Sequence, residues 1–434
     1  MKREAFEKLR KWKFERNRKP LILRGARQVG KTWLMQEFGR TCYERTIYAA
    51  LDADATIRAL FEQDIEPERI IRGLELASGG KIAPDNTLII LDEIQEAPGA
   101  LSSLKYFCER MPQYHIVAAG SLLGVALHEG TSFPVGKVDF LPLHPLTFRE
   151  FLGAAGKGNL LELLETRDFE LMKSFRQEFI ECLKQYCFVG GMPEAAACFA
   201  ANRDYAEARE IQRRILLAFE MDFSKHAPSR EVPRLRMLWQ GIPAQLAKEN
   251  RKFVYGQLRG GARAKDYEMA LLWLSDCGLI HRVSRVSKPG LPLRVYEDAR
   301  AFKLYLLDVG LLAALSGLTP GTLLNGSHVF TEFKGALTEQ YVCTQLVAAG
   351  MPLFYWTRER GSAEVDFITQ RGEDVLPIEV KAETNLRAKS LKVYQEMYSP
   401  SLSVRTSMAD YERQGWLLNL PLYAVSLLAE EGTL

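Results

Sequence analysis

Residues 20–39 read PLILRGARQVGKTWLMQEFG and place a glycine-rich loop between an apolar run and a segment with helical spacing. The loop matches the pattern G-x-x-x-x-G-K-[ST] from Gly25 to Thr32, between a strand and a helix as the pattern requires. Such a loop turns backbone N–H groups toward phosphate oxygens, while Lys31 neutralises phosphate charge and the Thr32 hydroxyl can ligate Mg²⁺. The stretch predicts a site for ATP and Mg²⁺, and a glycine turn that only caps a helix is the alternative. The predicted nucleotide-binding residues are Gly25, Ala26, Arg27, Gln28, Val29, Gly30, Lys31, Thr32 and Trp33.

A second run, TLIILDEI at residues 87–94, has the pattern of a fully buried strand and ends in two acids. Ligands of open α/β sheets bind at the carboxyl ends of the strands, which is where Asp92 and Glu93 fall. We expect Asp92 to hold Mg²⁺ together with Thr32, and Glu93 to polarise the attacking water while Lys31 supports phosphoryl transfer. An acidic pair after a strand is usually a solvated turn, but the phosphate loop upstream favours the catalytic interpretation.

Three further polar residues are candidates for contact with the γ-phosphate. Ser121 ends the strand run YHIVAAGS, residues 114–121, and either senses the phosphate or caps a helix. Phosphoryl transfer also needs a cation that stabilises the transition state, and Arg27 and Lys137 are the candidates for this role.

Composition and charge exclude several classes of protein. The 434 residues carry 57 Lys plus Arg against 54 Asp plus Glu, so the net charge of +3 gives no global signal for nucleic acid. Seven scattered cysteines without a CxxC pair argue against a disulfide framework or a zinc site. The sequence has no apolar run of the ~18 residues that a membrane span needs. We therefore expect a cytoplasmic protein with no membrane partner.

Four segments differ in pattern, and together they predict an α/β fold class. Residues 1–145 alternate strands and helices, which predicts a parallel sheet with right-handed crossovers. Residues 146–231 have helical spacing and are interpreted as a helical lid and linker. Residues 232–327 combine helices with two runs that alternate like a hairpin, GLIHRVSRV at 278–286 and LRVYED at 293–298. This pattern suggests a winged helix with its recognition helix near residues 264–278. Residues 328–434 read as a helix, three strands, a second helix and a final strand.

The stretch EVDFITQRGEDVLPIEVKAE, residues 364–383, has the pattern D…E-x-K on two neighbouring strands. Glu379 and Lys381 share a strand face, and hairpin pairing would bring Asp366 beside them. Asp366 and Glu379 could then share Mg²⁺ while Lys381 steadies a pentavalent phosphate. Glu339 falls on the core-facing side of the preceding helix, where a carboxylate needs a metal or cation partner. These four residues are the predicted nuclease-like catalytic site, and a cross-strand ion pair is the alternative.

The chain resembles, over nearly its whole length, a family of prokaryotic AAA-type P-loop ATPases. In this family the C-terminal domain has unknown function and a restriction-endonuclease-like fold. The resemblance rests on RGARQVGKT, LIILDEIQ, GSLLG, PLTFREFL, YCFVGGMPEA, FKLYLLDVGLL, GALTEQYV, YWTRERGSAEVDF and PIEVKA. It implies ATP binding through the phosphate loop, a winged-helix-like middle, and a nuclease-fold site at Glu339, Asp366, Glu379 and Lys381. The chain departs from the family pattern at Lys137, because lysine stands in place of arginine and cannot make its bidentate contact.

Two functions of different classes remain open. In the first, an ATP-hydrolysing protein couples its nucleotide state to a C-terminal domain that acts on nucleic acid. In the second, an ATP-gated switch or adaptor uses an inert nuclease-like fold to bind a partner, and a third reading treats the C-terminal charges as structural ion pairs. DNA is a candidate partner of the C-terminal segment through Arg358, Arg360, Arg371, Tyr355 and Trp356. In the winged-helix segment the candidates for phosphate contact are Arg259, Arg263 and Lys265, and the alternative there is packing against a protein. A homo-oligomer is expected if a neighbouring subunit supplies the missing cation.

Overall fold

The computed structural model describes residues 1–121, 124, 134–248, 252–324, 331–359, 361–383 and 388–430. The chain divides into two units. The first unit comprises Met1–His144 and Asp276–Leu279, and the second comprises Pro145–Ser275 and Ile280–Leu434. No helix within the described ranges is both long enough and apolar enough to cross a membrane.

The first unit is an α/β domain around a five-stranded sheet. Its strands are β1 (Leu21–Arg24), β2 (Arg45–Ala50), β3 (Thr87–Asp92), β4 (His115–Gly120) and β5 (Asp139–Pro142). Its helices are α1 (Glu4–Lys13), α2 (Lys31–Cys42), α3 (Ala55–Gln63), α4 (Pro67–Ser78) and α5 (Pro98–Arg110). The strand order is β2-β3-β4-β1-β5 and every pair is parallel, which confirms the predicted parallel sheet.

The central strands carry apolar side chains on both faces because helices cover a parallel sheet from both sides. All six residues of β3 and all six of β4 are buried. Since β1 and β3 both neighbour β4, their carboxyl ends lie at one edge of the sheet. The phosphate loop, the acidic pair and Ser121 all begin at this edge.

The second unit begins with helices. They are α6 (Phe148–Ala154), α7 (Gly158–Thr166), α8 (Phe169–Ser174), α9 (Arg176–Val189), α10 (Pro193–Asn202), α11 (Tyr205–His226), α12 (Val232–Leu246) and α13 (Ala264–Asp276). Further along the chain are α14 (Val309–Leu315), α15 (Pro320–Leu324), α16 (Thr331–Ala348) and α17 (Lys389–Tyr398). The helices before residue 231 agree with the spacing that suggested a helical lid and linker, whose role stays a prediction.

An eight-stranded mixed sheet follows in the same unit. Its strands are β6 (Ile280–Val286), β7 (Glu297–Leu306), β8 (Phe354–Thr357), β9 (Glu364–Arg371), β10 (Asp374–Val380), β11 (Ser403–Ser407), β12 (Glu412–Gln414) and β13 (Leu417–Pro421). Their order is β12-β13-β11-β10-β9-β8-β6-β7. The hairpin expected to be the wing, β6 and β7, thus continues the sheet of the C-terminal segment through the pairing of β6 with β8. The winged-helix and restriction-endonuclease-like assignments stay predictions.

Candidate functional site

The predicted phosphate loop has a backbone that favours glycine at two positions. Gly30 has a φ of 91°, in the left-handed region, and is the N-cap residue of α2. A Cβ atom on Gly25 would lie 2.2 Å from the Leu143 carbonyl oxygen, which is too close for any side chain. The loop is anchored from inside by the buried side chains of Ala26 and Val29. The glycines of the sequence pattern are therefore required by the shape of the loop.

Lys31 places its ammonium inside this loop. Its Nζ donates to the carbonyl oxygens of Gly25 and Ala26, each at 2.8 Å. Burial lowers the pKa of Lys31 to about 8, although the nearby carboxylates of Glu93 and Asp92 act in the opposite direction. A buried ammonium held mainly by neutral carbonyls is stabilised by an added anion, so the loop suits a phosphate group.

Thr32 and Asp92 meet at the edge of the sheet. The Thr32 hydroxyl donates to Asp92 Oδ2 at 2.7 Å, and the Tyr48 hydroxyl donates to the same oxygen at 2.9 Å. Burial and the hydrogen bond to Asp92 raise the pKa of Tyr48, so this hydroxyl keeps its proton and remains a donor. Tyr48 was missed at the sequence level, and its position near the end of β2, beside β3, is the signal that could have found it.

Glu93 lies in a left-handed backbone conformation, with a φ of 49°. Its Oε2 accepts hydrogen bonds from Gln95 Nε2 at 2.7 Å, from Ser121 Oγ at 2.8 Å and from the Ser121 N–H at 3.2 Å. Burial alone would raise the pKa of Glu93, but these hydrogen bonds hold it below its ordinary value. The carboxylate is therefore ionised at neutral pH and able to accept a proton. Gln95 is a second residue that the sequence pattern did not single out.

The two candidate cations have different surroundings. Arg27 Nε donates to Ser121 Oγ at 3.3 Å, so the phosphate loop and Glu93 are joined through Ser121. Lys137 pairs with Glu109 at 2.9 Å on the exposed surface of α5. That pairing weakens the case for Lys137 as a cation for the transition state and leaves Arg27 as the better candidate.

These residues fit ATP and Mg²⁺. The Thr32 hydroxyl and the Asp92 carboxylate are adjacent oxygen donors, which suits Mg²⁺ bound by few protein ligands and completed by phosphate and water. Among the described residues, no group of three or more His, Cys, Asp or Glu side chains is placed to hold a metal ion. Trp33 is 44% exposed beside the loop, and no described contact assigns it a role in binding.

In the second unit, β9 and β10 bring together three of the four predicted nuclease-site residues. The strands are antiparallel with Ile378 opposite Phe367, so Glu379 lies opposite Asp366, and the Val380 N–H donates to Asp366 Oδ2 at 2.8 Å. Lys381 Nζ lies 2.6 Å from Glu379 Oε1. Burial raises the pKa of Glu379, and nearby Asp366 adds to this effect while Lys381 opposes it.

The fourth predicted residue, Glu339, has a cation partner that the sequence did not reveal. Lys303 on β7 is fully buried, with its Nζ 3.7 Å from Glu339 Oε2 and 2.5 Å from Glu364 Oε1. The Tyr305 hydroxyl also donates to Glu339 Oε2, at 3.1 Å. The expected cation partner of Glu339 is thus an ammonium of the chain itself. Glu364 connects this cluster to Asp366, because the two lie two residues apart on β9 and share a face.

A buried arginine extends the polar row across the sheet. Arg405 on β11 pairs in register with Glu379 on one side and with Asn419 of β13 on the other. Its Nε donates to Asn419 Oδ1 at 3.0 Å, and Ser407 Oγ donates to the same oxygen at 2.8 Å. A guanidinium beside Glu379 competes with a metal ion for the carboxylate, so this arrangement is less favourable for a metal than the sequence suggested.

The predicted stacking of bases on Tyr355 and Trp356 is wrong, because each of these side chains is only 1% exposed. Trp356 packs edge to face against Tyr394 of α17 in the core on that side of the sheet. Phe354, Tyr355 and Trp356 are all buried, so both faces of β8 are covered. Arg360, which was predicted to contact nucleic acid beside them, lies outside the described residues.

Comparison with known proteins supports the first unit as a nucleotide-binding domain. Residues 17–152 match a family model described as an AAA domain. With the phosphate loop and the acidic pair at the carboxyl edge of a parallel sheet, this match supports a P-loop AAA-type ATPase domain over residues 17–152. Residues 180–322 and 334–423 match models described as domains of unknown function, DUF8612 and DUF4143.

The chain is similar to two uncharacterized mycobacterial proteins, one from Mycobacterium tuberculosis and one from Mycobacterium bovis. Each is 26% identical over 396 residues, covering 88% of this chain and 74% of the relative. Among solved structures, a Walker-type ATPase of Pyrococcus abyssi has 15% identity and a TM-score of 0.45, covering 73% of this chain and 95% of that chain. The Aeropyrum pernix ORC1 protein in complex with DNA has 16% identity and a TM-score of 0.27, covering 72% and 90%.

Proposed function

We propose that the protein binds ATP with Mg²⁺ and hydrolyses it in the first unit. The observation that carries the proposal is the chain of hydrogen bonds from Thr32 through Asp92 and Glu93 to Ser121, beside the Lys31 ammonium held in the loop. Each group has a part in phosphoryl transfer to water.

The residues of the chain divide this chemistry between them. Lys31 neutralises β- and γ-phosphate charge, and the loop N–H groups orient the phosphates. Thr32 and Asp92 would hold Mg²⁺, which supplies charge neutralisation at the phosphate oxygens when bound. Glu93 orients the attacking water and accepts its proton, which requires its carboxylate to turn from Ser121 and Gln95 toward the substrate.

Replacing Lys31 by Ala is expected to weaken ATP binding by about 10–150-fold, since a hydrogen bond to a charged group contributes about 1.5–3 kcal/mol. Titration with a fluorescent ATP analogue in Mg²⁺ measures the Kd. The matched control is Lys81→Ala, because Lys81 is an exposed lysine of the same unit paired with Glu75. An unchanged Kd for Lys31→Ala would contradict the proposed site.

For the second unit we propose a nuclease-like site directed at nucleic acid and controlled by nucleotide state. The proximity of Asp366, Glu379 and Lys381 supports it. Arg230, Arg234 and Arg259 also line a cavity of about 540 Å³, together with Asp266 at the start of α13. Arg230 and Arg234 share Glu231 as an ion-pair partner, so the arginines outnumber the acids and leave positive charge for a phosphate backbone.

The alternative, an ATP-gated adaptor with an inert nuclease-like fold, is favoured by a different observation. Lys303 lies within ion-pair distance of Glu339 and Glu364, and Arg405 interacts electrostatically with Glu379. Glu339 and Glu379, two of the carboxylates expected at a metal, are therefore near cations of the chain itself. A site of this kind can persist as a structural ion-pair network that presents a surface to a partner.

DNA cleavage separates the two proposals. Supercoiled and single-stranded DNA are incubated with Mg²⁺ or Mn²⁺, with and without ATP. If the nuclease proposal holds, Lys381→Ala cuts at least about tenfold more slowly, the equivalent of one charged hydrogen bond. Lys334→Ala is the control, because Lys334 pairs with Glu383 in the same unit and carries no proposed role. A wild-type protein that hydrolyses ATP but never cuts DNA would favour the adaptor.

A further inference from the structure

Arg3, the residue immediately before α1, is not part of the phosphate loop but contacts it through its guanidinium. Its Nη1 donates to the Val29 carbonyl oxygen at 3.0 Å, and its Nη2 donates to the His144 carbonyl oxygen at 2.6 Å. The side chain is buried, with 7% of its surface exposed. Neither carbonyl belongs to a residue near Arg3 in sequence, so the guanidinium joins three separate parts of the first unit.

The orientation of a phosphate loop depends on where its carbonyl groups point. N–H groups can face an anion only if the neighbouring carbonyl oxygens face away, and a buried carbonyl facing away needs a donor. Val29 immediately precedes Gly30, whose left-handed backbone ends the loop at α2. Arg3 supplies the donor for this carbonyl through a charged hydrogen bond, which is stronger than a neutral one.

The same arginine fastens the loop to the segment that leaves β5. The Leu143 N–H donates to the Arg24 carbonyl oxygen at 2.6 Å, and the Leu143 carbonyl lies against Gly25. Arg3 adds the contact with His144, the next residue. Leu143 thus contacts the start of the phosphate loop, and Arg3 links His144 to Val29 near the end of the loop. Burial lowers the pKa of His144 to about 4, so its imidazole is neutral at pH 7 and adds no second positive charge beside Arg3.

We propose that Arg3 is a positioning residue for the phosphate-binding loop, fixing the Val29 carbonyl outward so that the loop is preorganised for a nucleoside triphosphate. This inference rests on the proposed ATP site and deepens it. A planar guanidinium holds its donors on separate nitrogens in a rigid fork, so Arg3 can reach two carbonyl oxygens from different segments, whereas a lysine carries all its donors on one nitrogen of a flexible stem. The nearest comparison within the chain is Arg18, which donates to the carbonyl oxygens of Lys13 and Pro112 without contacting the loop.

The test compares wild type, Arg3→Ala, Arg3→Lys and Arg18→Ala by two measurements. Hydrogen exchange without nucleotide should show faster exchange of the loop amides in Arg3→Ala, a smaller change in Arg3→Lys, and wild-type exchange in Arg18→Ala. With ATP, Arg3→Ala should show a Kd for binding and a KM for hydrolysis that are each raised at least about tenfold, which is the loss expected for one charged hydrogen bond. Its kcat should change much less. Arg3→Lys should be intermediate and Arg18→Ala should match wild type.

The outcomes are distinguishable. Wild-type loop exchange in Arg3→Ala, or equal effects of Arg3→Ala and Arg18→Ala, would overturn the positioning role. If Arg3→Ala does not fold, Arg3→Lys decides, because a fully wild-type loop and Kd in that variant would remove the need for a guanidinium. A wild-type protein that binds no ATP would reject the proposed function, while the exchange measurement would still report on the role of Arg3.

Discussion

Glu93→Gln is expected to hydrolyse ATP about 10²–10⁴-fold more slowly than wild type, the range that a general base contributes. ATP affinity should stay near the wild-type value, because Lys31, Thr32 and Asp92 are unchanged. The amide of glutamine is nearly isosteric with the carboxylate, so the hydrogen bond donated by Ser121 Oγ can be kept. A steady-state phosphate-release assay beside a binding titration separates the two effects.

The control for this experiment is Glu96→Gln. Glu96 ends the short 3₁₀ turn that begins after Glu93, and its side chain is exposed. It tests whether loss of one negative charge near the site is sufficient to slow hydrolysis. Equal rates for Glu93→Gln and wild type would show that another group accepts the proton, and the role proposed for Glu93 would then be abandoned.

Lys303→Met is expected to destabilise the second unit by about 3–5 kcal/mol, the cost of removing one partner from a buried ion pair. Lys303 is fully buried between Glu339 and Glu364, so methionine fills similar space but leaves the two carboxylates without their shared cation. Urea denaturation followed by a probe in the second unit measures the change in unfolding free energy.

Two further variants test whether the lost stability comes from the buried ion pairs. Lys334→Met removes an ion pair whose partner, Glu383, is 61% exposed, and it should cost no more than about 1 kcal/mol. Lys303→Met combined with Glu364→Gln should recover part of the lost stability, because one of the two carboxylates left without the Lys303 ammonium is also neutralised. A cost for Lys303→Met as small as for Lys334→Met would mean that the buried cluster is not an ion-pair network.

Much of the candidate nucleotide site could be predicted because its residues are close in sequence or follow a strand. Gly25 to Thr32 form one continuous loop, and Asp92, Glu93 and Ser121 each come at or just after the end of an apolar strand. Parallel strands bring those ends to one edge, so the pattern alone is enough to gather them.

The remaining contacts join positions that are far apart in the chain, and no local pattern reports them. Lys303 and Glu339 are brought together only by the packing of β7 and α16, and Arg405 reaches Glu379 only through the register of β10 and β11. Arg3 and Tyr48 depend in the same way on the tertiary fold. A polar side chain in an apolar segment has many possible hydrogen-bond or ion-pair partners, and sequence spacing does not indicate which of them it contacts.

The second hairpin strand shows a different limit. LRVYED, residues 293–298, was interpreted as its strand, yet Leu293–Tyr296 form a 3₁₀ turn and β7 begins at Glu297. The last six residues of β7, 301–306, are all buried, Lys303 included, so they lack the regular alternation of polar and apolar residues that distinguishes a strand from a helix.

The shared eight-stranded sheet has a practical consequence for work with separate pieces of the protein. Expression from residue 328 onward would remove β6 and β7 and leave the backbone of β8 as an open edge carrying Phe354, Tyr355 and Trp356. Exposed apolar edges of this kind recruit other chains and promote aggregation. A soluble fragment of the second unit should therefore begin before Ile280, so that the strand beside β8 is retained.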